Sequence, residues 1–387
     1  MTSAADPVVP SPVLPAFAGP CLANLVPALL AQVRTPRPAP PADWLPGPLG
    51  RARQVVLLVL DGLGWEQLQA RRAIAPTLAS GTGGPITSVA PSTTATALTS
   101  LTTGLPPAVH GILGYRLRVD GAVLNVLGWR LDGADARTRL PARTFQPHPA
   151  FPGPDGRPAG RPVPVVSRAD YRSTGFSAAH LGDAVIHGLR TASGLVVEVR
   201  RLLAAGEPFV YAYHDGIDSV AHAHGLGDHY DAELRTADRL VADLLEVLPP
   251  GAALVVAADH GQVDVGSAVE VLDDRLMDAV ELLSGEGRFR CLHLRAGATD
   301  DVAEAATELF GHLAWVRTAE QVIDDGWLGG EPVPAVLDRL GDVVLAPFAP
   351  TAFLDPADTG EQRLIARHGS LTEAEMLVPL LSWEPVG

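Results

Sequence analysis

Three stretches of the chain share one pattern, a largely apolar run that ends at an acidic residue. The runs are VVLLVL before Asp61, FVYAYH before Asp215 and AALVVAA before Asp259. Unbroken apolarity over the length of a strand is typical of strands that are buried on both faces, as in a parallel sheet. The acidic residues would then lie at the carboxyl ends of the strands, where open α/β sheets bind their ligands.

A helical pattern separates the second run from the third. The segment DHYDAELRTADRLVADLLEVL places apolar residues at the spacing of one helix face, namely Leu234, Ala237, Val241, Leu244 and Leu245. Strands that alternate with helices predict an α/β fold with a doubly wound, mostly parallel sheet and helices on both of its faces.

Two parts of the chain depart from this alternation. Residues 1–50 are rich in proline and predict an N-terminal arm, with a short helix near Leu22 to Val33. Residues 270–345 combine strand-like and helical segments, and we expect them to form a small inserted α+β cap lobe. The main core would then comprise residues 51–269 and 346–387.

Composition narrows the classes of function. The 387 residues carry a formal net charge of −15, which argues against a surface for a nucleic-acid polymer. A phosphate-bearing substrate stays compatible with this charge, because bound metal ions reverse the local field. The chain contains no lysine, which excludes Schiff-base chemistry and a P-loop lysine.

Features of export and membrane insertion are also missing from the sequence. Two cysteines, Cys21 and Cys291, form neither a disulfide framework nor a zinc-thiolate site. The first residues lack the pattern of a signal peptide, and no run of about 18 apolar residues occurs. We therefore expect a cytoplasmic protein that has no membrane-spanning helix.

Acidic and histidine residues follow the predicted strands in a pattern that suits metal binding. Divalent metals of the zinc type bind histidine nitrogens and carboxylate oxygens. The candidate ligands are Asp61, Asp218, His222, Asp259, His260 and His368. Six ligands exceed what one tetrahedral zinc with an open position uses. They suit two metals about 4 Å apart, which clamp the oxygens of an in-line phosphoryl displacement.

Residues 89–115, VAPSTTATALTSLTTGLPPAVHGILGY, contain six threonines and two serines but no Asp, Glu or Arg. Serine and threonine are favoured helix caps, so these hydroxyls have a structural explanation. The metal ligands add a chemical one, because a hydroxyl bound to a metal becomes a better nucleophile. The amino end of the predicted helix also favours an incoming phosphate.

Five short motifs occur in a fixed order along the chain: VLLVLDGLG, PSTTATALTSLTTGLPPAVHGI, DSVAHAHG, AADHG and RHGSL. Together they resemble the alkaline phosphatase superfamily and, within it, the nucleotide pyrophosphatase/phosphodiesterase family. The motifs span residues 55–371, nearly the whole chain outside the N-terminal arm. The resemblance implies that the main core is an alkaline-phosphatase-like catalytic core.

The resemblance also implies roles for individual residues. Thr94 aligns with the nucleophile of the family, and Thr93 replaces it if the alignment shifts by one position. Asp61, Asp259 and His260 match the ligands of the metal that would bind Thr94.

A second metal would be bound by Asp218, His222 and His368, and the resemblance implies that both metals are zinc. One position departs from the family, whose phosphodiesterases carry an asparagine soon after the HGI turn that helps to bind a phosphate oxygen. This chain has Gly114 and Tyr115 there. Tyr115 is the candidate for the missing hydrogen bond.

These expectations combine into one functional prediction. The protein is expected to hydrolyse phosphodiester or pyrophosphate bonds in a small phosphate ester, such as a nucleotide, through a covalent phospho-threonine and two metal ions. The alternatives are a phosphomonoesterase, a phosphonate hydrolase or a phosphomutase of the same superfamily, and a non-catalytic scaffold that retains the fold. A sulfatase is not expected, because its formylglycine signature is missing from the sequence.

Overall fold

A seven-stranded sheet forms the centre of the protein in a computed structural model that describes residues 9–33, 42–153 and 160–383. The strands of the described residues are β1 (Gln54–Leu60), β2 (Thr82–Thr87), β3 (Arg116–Val119), β4 (Ala122–Asn125), β5 (Arg130–Leu131), β6 (Ala134–Asp135), β7 (Pro164–Arg168), β8 (Val185–Leu189), β9 (Phe209–His214), β10 (Ala252–Ala257), β11 (Val263–Asp264), β12 (Val269–Glu270), β13 (Val280–Glu286), β14 (Phe289–Leu294), β15 (Ala314–Thr318), β16 (Val343–Pro347), β17 (Ala352–Phe353), β18 (Ala366–Arg367) and β19 (Leu377–Trp383).

Helices connect most of these strands. The α-helices of the described residues are α1 (Leu22–Val33), α2 (Trp65–Ala70), α3 (Pro76–Ser80), α4 (Thr94–Thr103), α5 (Pro107–His110), α6 (Ala142–Phe145), α7 (Gly175–Leu181), α8 (Ala192–Ala204), α9 (Gly216–His224), α10 (Asp228–Glu246), α11 (Asp274–Met277), α12 (Thr299–Phe310), α13 (Ala319–Asp324), α14 (Pro334–Leu340) and α15 (Glu373–Met376). Short 3-10 helices occur at Gly47–Arg51, Ala169–Ser173 and Glu361–Arg363. Within the described ranges, no helix is long and apolar enough to cross a membrane.

The central sheet has the strand order β2-β19-β10-β1-β9-β7-β8. All neighbours from β10 to β8 pair in parallel, whereas β19 runs antiparallel to both β10 and β2. This mostly parallel sheet in an α/β arrangement confirms the predicted fold class.

The three apolar runs seen in the sequence form the middle of this sheet. They are β1, β9 and β10, and β1 lies between the other two. Their side chains are almost all buried, which explains the unbroken apolarity. Because the three strands are parallel neighbours, the residues that follow them meet at one edge of the sheet. The candidate metal ligands are thereby brought together.

The region predicted as a cap lobe contains a sheet of its own. Strands β13, β14, β16 and β15 pair antiparallel in that order, and β12 pairs with β17 beside them. A separate apolar cluster fills the space between this sheet and α12, and it includes Leu292, Phe310 and Phe353. The division of the chain into an arm, a core and a lobe stays a prediction.

The helix that was predicted within the N-terminal arm is present as α1. Its side chains Leu22, Leu25, Val26 and Leu29 are fully buried, and α1 packs against α4. The described part of the arm therefore contributes to the main core. Residues 1–8 and 34–41 of the predicted arm lie outside the described residues.

Candidate active site

The carboxyl ends of β1 and β10 bring together Asp61, Asp259 and His260, which we call the first cluster. Their ligand atoms lie within 4.8 Å of one another. The Nε2 atom of His260 is 3.4 Å from Oδ1 of Asp61 and 3.5 Å from Oδ2 of Asp259. The other oxygen of Asp259 accepts hydrogen bonds from the backbone N–H groups of Gly62 and His260. These bonds fix the orientation of the Asp259 carboxylate.

The first cluster has the properties of a cation site. Oδ1 of Asp61 and Oδ2 of Asp259 are buried and have no hydrogen-bond partner. Burial, and for Asp61 also the charges of Asp259 and Asp218, raises the pKa of both carboxyls. Two buried carboxylates without a cation are costly, and a divalent metal ion at the point where they converge would remove that cost. The residues present therefore fit a metal.

Asp218, His222 and His368 form a second cluster beside the first. Asp218 and His222 lie one turn apart on α9, and Oδ1 of Asp218 is 3.3 Å from Nε2 of His222 and 3.7 Å from Nε2 of His368. The ligand atoms of Asp218, His368 and His260, the last from the first cluster, lie within 4.8 Å of one another. The rings of His260 and His368 stack at 3.5 Å between their centroids. The two clusters are therefore contiguous.

All three histidines present the same ring nitrogen to the clusters. Nδ1 of His222, His260 and His368 faces the backbone carbonyl of Ala366, Gly261 and Ser92, at 2.8, 3.0 and 3.0 Å respectively. A carbonyl only accepts hydrogen bonds, so each Nδ1 carries the proton and each Nε2 has a free electron pair. Carbonyl partners of this kind hold metal-binding histidines in the correct tautomer.

Thr94 is the first residue of α4, and its hydroxyl points at the clusters. Its Oγ1 lies 3.1 Å from Nε2 of His260. Thr93 is buried, and its hydroxyl lies 3.4 Å from the hydroxyl of Thr96. The structure thus brings Thr94, and not Thr93, into contact with the candidate metal ligands.

The other threonines of α4 have a structural explanation. The hydroxyls of Thr99, Thr102 and Thr103 donate to backbone carbonyls one turn earlier in the helix, at 2.6 to 2.8 Å. Their side chains are buried, and these bonds satisfy the hydroxyls of Thr99 and Thr103 within the helix. The hydroxyl of Thr102 also donates to the backbone carbonyl of His180 in α7 at 2.6 Å.

Two cavities are bordered by Thr94. The first cavity, of about 220 Å³, is lined mainly by apolar and aromatic side chains, among them Leu98, Phe176 and Tyr213. The second cavity, of about 400 Å³, is lined mainly by polar and charged side chains, among them Glu286 and Arg367. Thr94, Asp218 and Leu127 line both cavities. A substrate held at Thr94 therefore has two cavities of different polarity next to it.

Tyr115 lies where the sequence resemblance expects a substrate contact. It lines the second cavity together with Asn125, and its backbone N–H donates to Oε1 of Glu286 at 3.1 Å. Burial, followed by the nearby charge of Glu361, raises the pKa of Glu286 well above its usual value. The role of Tyr115 stays a prediction.

Residues that the sequence did not single out support the clusters. The hydroxyl of Tyr213 donates to Oδ2 of Asp61, and the amide of Gln262 donates to Oδ1 of Asp218 at 2.6 Å. Tyr213 lies in β9, within a largely apolar run of the sequence, so no sequence pattern marks it as a hydrogen-bond donor to the site. Gln262 directly follows Gly261, and its position next to the AADHG motif is the one sequence feature that could have indicated its contact with the site.

Comparisons with known proteins identify the family of the chain and proteins that share its fold. Residues 55–371 match the family model described as type I phosphodiesterase/nucleotide pyrophosphatase. This confirms the resemblance that the five motifs indicated. No curated protein sequence gives a significant match.

Several solved structures share the fold. Murine ectonucleotide pyrophosphatase/phosphodiesterase 5, as an inactive threonine-to-alanine variant in complex with AMP, is 16% identical with a TM-score of 0.62, over 85% of this chain and 87% of that one. The human protein of the same name is 16% identical with a TM-score of 0.63 and the same coverage. Phosphonoacetate hydrolase from Sinorhizobium meliloti 1021, in complex with phosphonoformate, is 21% identical with a TM-score of 0.61, over 86% and 90% of the two chains.

Proposed function

The chain belongs to the type I phosphodiesterase/nucleotide pyrophosphatase family, and we propose that it hydrolyses phosphodiester or pyrophosphate bonds in a small phosphate ester. One observation carries this proposal. The Thr94 hydroxyl lies at the amino end of α4 and within 3.1 Å of a histidine nitrogen that belongs to two contiguous clusters of carboxylates and histidines. A nucleophile, its activating site and an anion-binding helix end thus occur at one place.

We assign the clusters to two divalent metal ions, with zinc as the expected metal. Asp61, Asp259, His260 and Thr94 would hold one ion, and Asp218, His222 and His368 the other. The unpartnered carboxylate oxygens and the free Nε2 atoms suit zinc, which binds histidine nitrogen and carboxylate oxygen. When bound, these ions would lower the pKa of the Thr94 hydroxyl and neutralise charge on the phosphoryl oxygens.

The proposed reaction consists of two successive displacements at phosphorus. The Thr94 hydroxyl loses its proton, and its oxygen attacks phosphorus as the bond from phosphorus to the leaving oxygen breaks. The leaving oxygen takes a proton, and a covalent phospho-threonine forms. Water then attacks phosphorus, and the bond to the Thr94 oxygen breaks. One water molecule is consumed, and the Thr94 hydroxyl is restored.

The two cavities support a diester over a monoester. A phosphodiester carries two organic groups on the reacting phosphorus, and Thr94 lines two cavities that could each hold one of them. The murine protein that shares this fold was solved in complex with AMP, in an inactive form that carries alanine in place of a threonine. A nucleotide is therefore a suitable first substrate to test.

A phosphonate hydrolase is the second candidate function. It is favoured by the likeness to phosphonoacetate hydrolase and by Tyr115, which stands where diesterases of this family have asparagine. A phosphomonoesterase, a phosphomutase and a scaffold without activity remain outcomes of the test. The cytoplasmic location also stays a prediction, which cell fractionation tests.

The deciding experiment compares three substrates: bis-p-nitrophenyl phosphate, p-nitrophenyl phosphate and phosphonoacetate. Each is tested with the wild type and Thr94→Ala, with zinc and with a chelator. We expect zinc-dependent diester hydrolysis that Thr94→Ala abolishes. Preference for phosphonoacetate would establish the second candidate. Activity that survives Thr94→Ala would exclude Thr94 as the nucleophile, and absence of both activity and bound metal would favour a scaffold.

A further inference from the structure

We infer that the buried ion pair between Arg288 and Glu375 positions His368, and that the predicted cap lobe thereby controls metal binding at the second cluster. This inference rests on the metal sites of the proposed function. It assigns a role to two residues that lie outside both clusters.

Arg288 ties the pair to the cap lobe. It lies in the turn between β13 and β14, and its side chain is completely buried. Its Nη1 donates to the carbonyls of Ala349 and Thr351 at 2.9 and 2.6 Å, and its Nη2 donates to that of Pro347 at 3.0 Å. These carbonyls belong to the last residue of β16 and to the connection from β16 to β17. Arg288 of the predicted lobe is therefore bound to the segment that directly follows the lobe.

The same guanidinium binds Glu375 through two parallel hydrogen bonds. Nε lies 2.6 Å from Oε1, and Nη2 lies 2.8 Å from Oε2. Glu375 is also completely buried and belongs to α15. Paired bonds of this geometry fix the plane as well as the position of a carboxylate.

Glu375 in turn holds the segment that carries His368. Its Oε1 accepts a hydrogen bond from the backbone N–H of Ser370 at 3.0 Å, and its Oε2 accepts one from the Thr372 hydroxyl at 2.5 Å. The segment is therefore fastened two residues and four residues beyond His368.

Ser92 binds this segment to the residues just before α4, the helix that begins at Thr94. The Ser92 hydroxyl donates to the carbonyl of Ser370 at 2.6 Å, and its backbone N–H donates to that of Gly369 at 3.1 Å. Its own carbonyl accepts from Nδ1 of His368 at 3.0 Å. A shift of the Ser370 segment would therefore move His368 relative to Ser92 and turn its Nε2 away from Asp218.

Stability alone does not account for this pair. A buried ion pair contributes little net stability compared with apolar residues of the same volume, because both charges lose their hydration. Its geometric effect is larger, since groups that orient a metal ligand change metal affinity by roughly 10- to 100-fold when they are removed. The position of Arg288 and Glu375 behind His368 matches that function.

The test is a zinc competition titration of the metal-free protein with a chromophoric chelator. The variant Glu375→Gln keeps the shape of the side chain but removes the charge. We expect one of the two zinc-binding steps to lose affinity by roughly 10- to 100-fold, while the other changes less than about twofold. Thr372→Val removes one hydrogen bond to Glu375 and should weaken the same step about threefold.

A second buried ion pair provides a matched control. Arg116 and Asp355 are both less than 10% exposed and join distant parts of the chain, without a hydrogen bond to any predicted metal ligand. The control Asp355→Asn should leave both zinc affinities within about twofold of the wild type. Circular dichroism checks folding, and Thr372→Val carries the test if Glu375→Gln does not fold.

Two results would overturn the inference alone: unchanged zinc affinity in the folded Glu375→Gln and Thr372→Val variants, or an equal loss in Asp355→Asn. A wild-type protein that binds no zinc would overturn the proposed function and this inference with it. The wild-type titration therefore separates the two failures.

Discussion

The two clusters of the candidate site are built in different ways. Asp61, Asp259 and His260 follow two neighbouring strands of the central sheet, and their side chains are at most 3% exposed. The second cluster takes Asp218 and His222 from α9 and His368 from a segment near the end of the chain. Its side chains are 8 to 21% exposed. The first cluster depends on strand pairing, and the second depends on how separate elements pack together.

This difference predicts unequal sensitivity to substitution. Removing a ligand of the first cluster leaves a buried charge without its partner, whereas His222 is the most exposed of the six ligands and solvent can replace it. The difference between the two clusters can be tested by making an equivalent substitution in each of them.

The largest effect is expected for the ligands themselves. Asp259→Asn should lower kcat/KM for a diester by roughly 10³-fold, because it removes a charged ligand of the metal that would stabilise the transition state. His222→Gln should cost roughly 10- to 100-fold. Steady-state kinetics at saturating zinc measure both variants. Equal losses would show that the clusters do not differ in this respect.

The supporting hydrogen bonds should have the next largest effect. Tyr213→Phe removes the donor to Asp61, and Gln262→Met removes the donor to Asp218. Each should weaken zinc binding about tenfold, at the first cluster and at the second cluster respectively. A titration that resolves two binding steps measures them. If both variants weaken the same step, the assignment of ligands to two metals is wrong.

Metal-free protein should show a pH dependence that originates in the first cluster. Burial raises the pKa of Asp61 and Asp259, so their contribution to stability is complete below the usual carboxyl pKa and is lost as pH rises through the raised value. Asp259→Asn should therefore raise the Tm of metal-free protein at pH 8, by on the order of 2 °C, and have less effect at pH 5. Thermal unfolding in chelator measures this, and a lower Tm at pH 8 would contradict it.

Tyr115 should have the smallest effect. Its backbone N–H is bound to Glu286, and its side chain lines only the second cavity. Tyr115→Phe should raise KM for a diester about two- to threefold with little change in kcat, as expected for one neutral hydrogen bond to substrate. A fall in kcat of tenfold or more would place the Tyr115 hydroxyl in the transition state instead.

The central strands, and the meeting of the polar residues that follow them, could be predicted from the sequence for a physical reason. A strand that is buried on both faces needs a continuous apolar run, and the residue after the run must lie at the sheet edge. Asp61 and Asp259 could be placed in this way. Asp218, His222 and His368 followed from the motifs DSVAHAHG and RHGSL.

Other parts of the site depend on contacts between residues that are distant in the chain. Glu286 and Arg288 reach the site because β13 and β14 pack over it, and no local pattern encodes that placement. The position of the antiparallel strand β19, between β2 and β10, likewise depends on the pairing of the whole sheet and not on a local sequence pattern. The contact of Tyr213 with Asp61 could not be predicted, because Tyr213 lies within a strand that is largely apolar.

The threonine-rich helix α4 has a consequence for how this protein tolerates sequence change. Thr99 and Thr103 satisfy their hydroxyls within their own helix, and both side chains are buried. Valine has nearly the same shape and needs no partner at all. Thr102 differs, because its hydroxyl also donates to the backbone carbonyl of His180 in α7 at 2.6 Å. A saturation library across α4 should therefore accept valine at Thr99 and Thr103 and disfavour it at Thr102, and a selection for function should also reject it at Thr94.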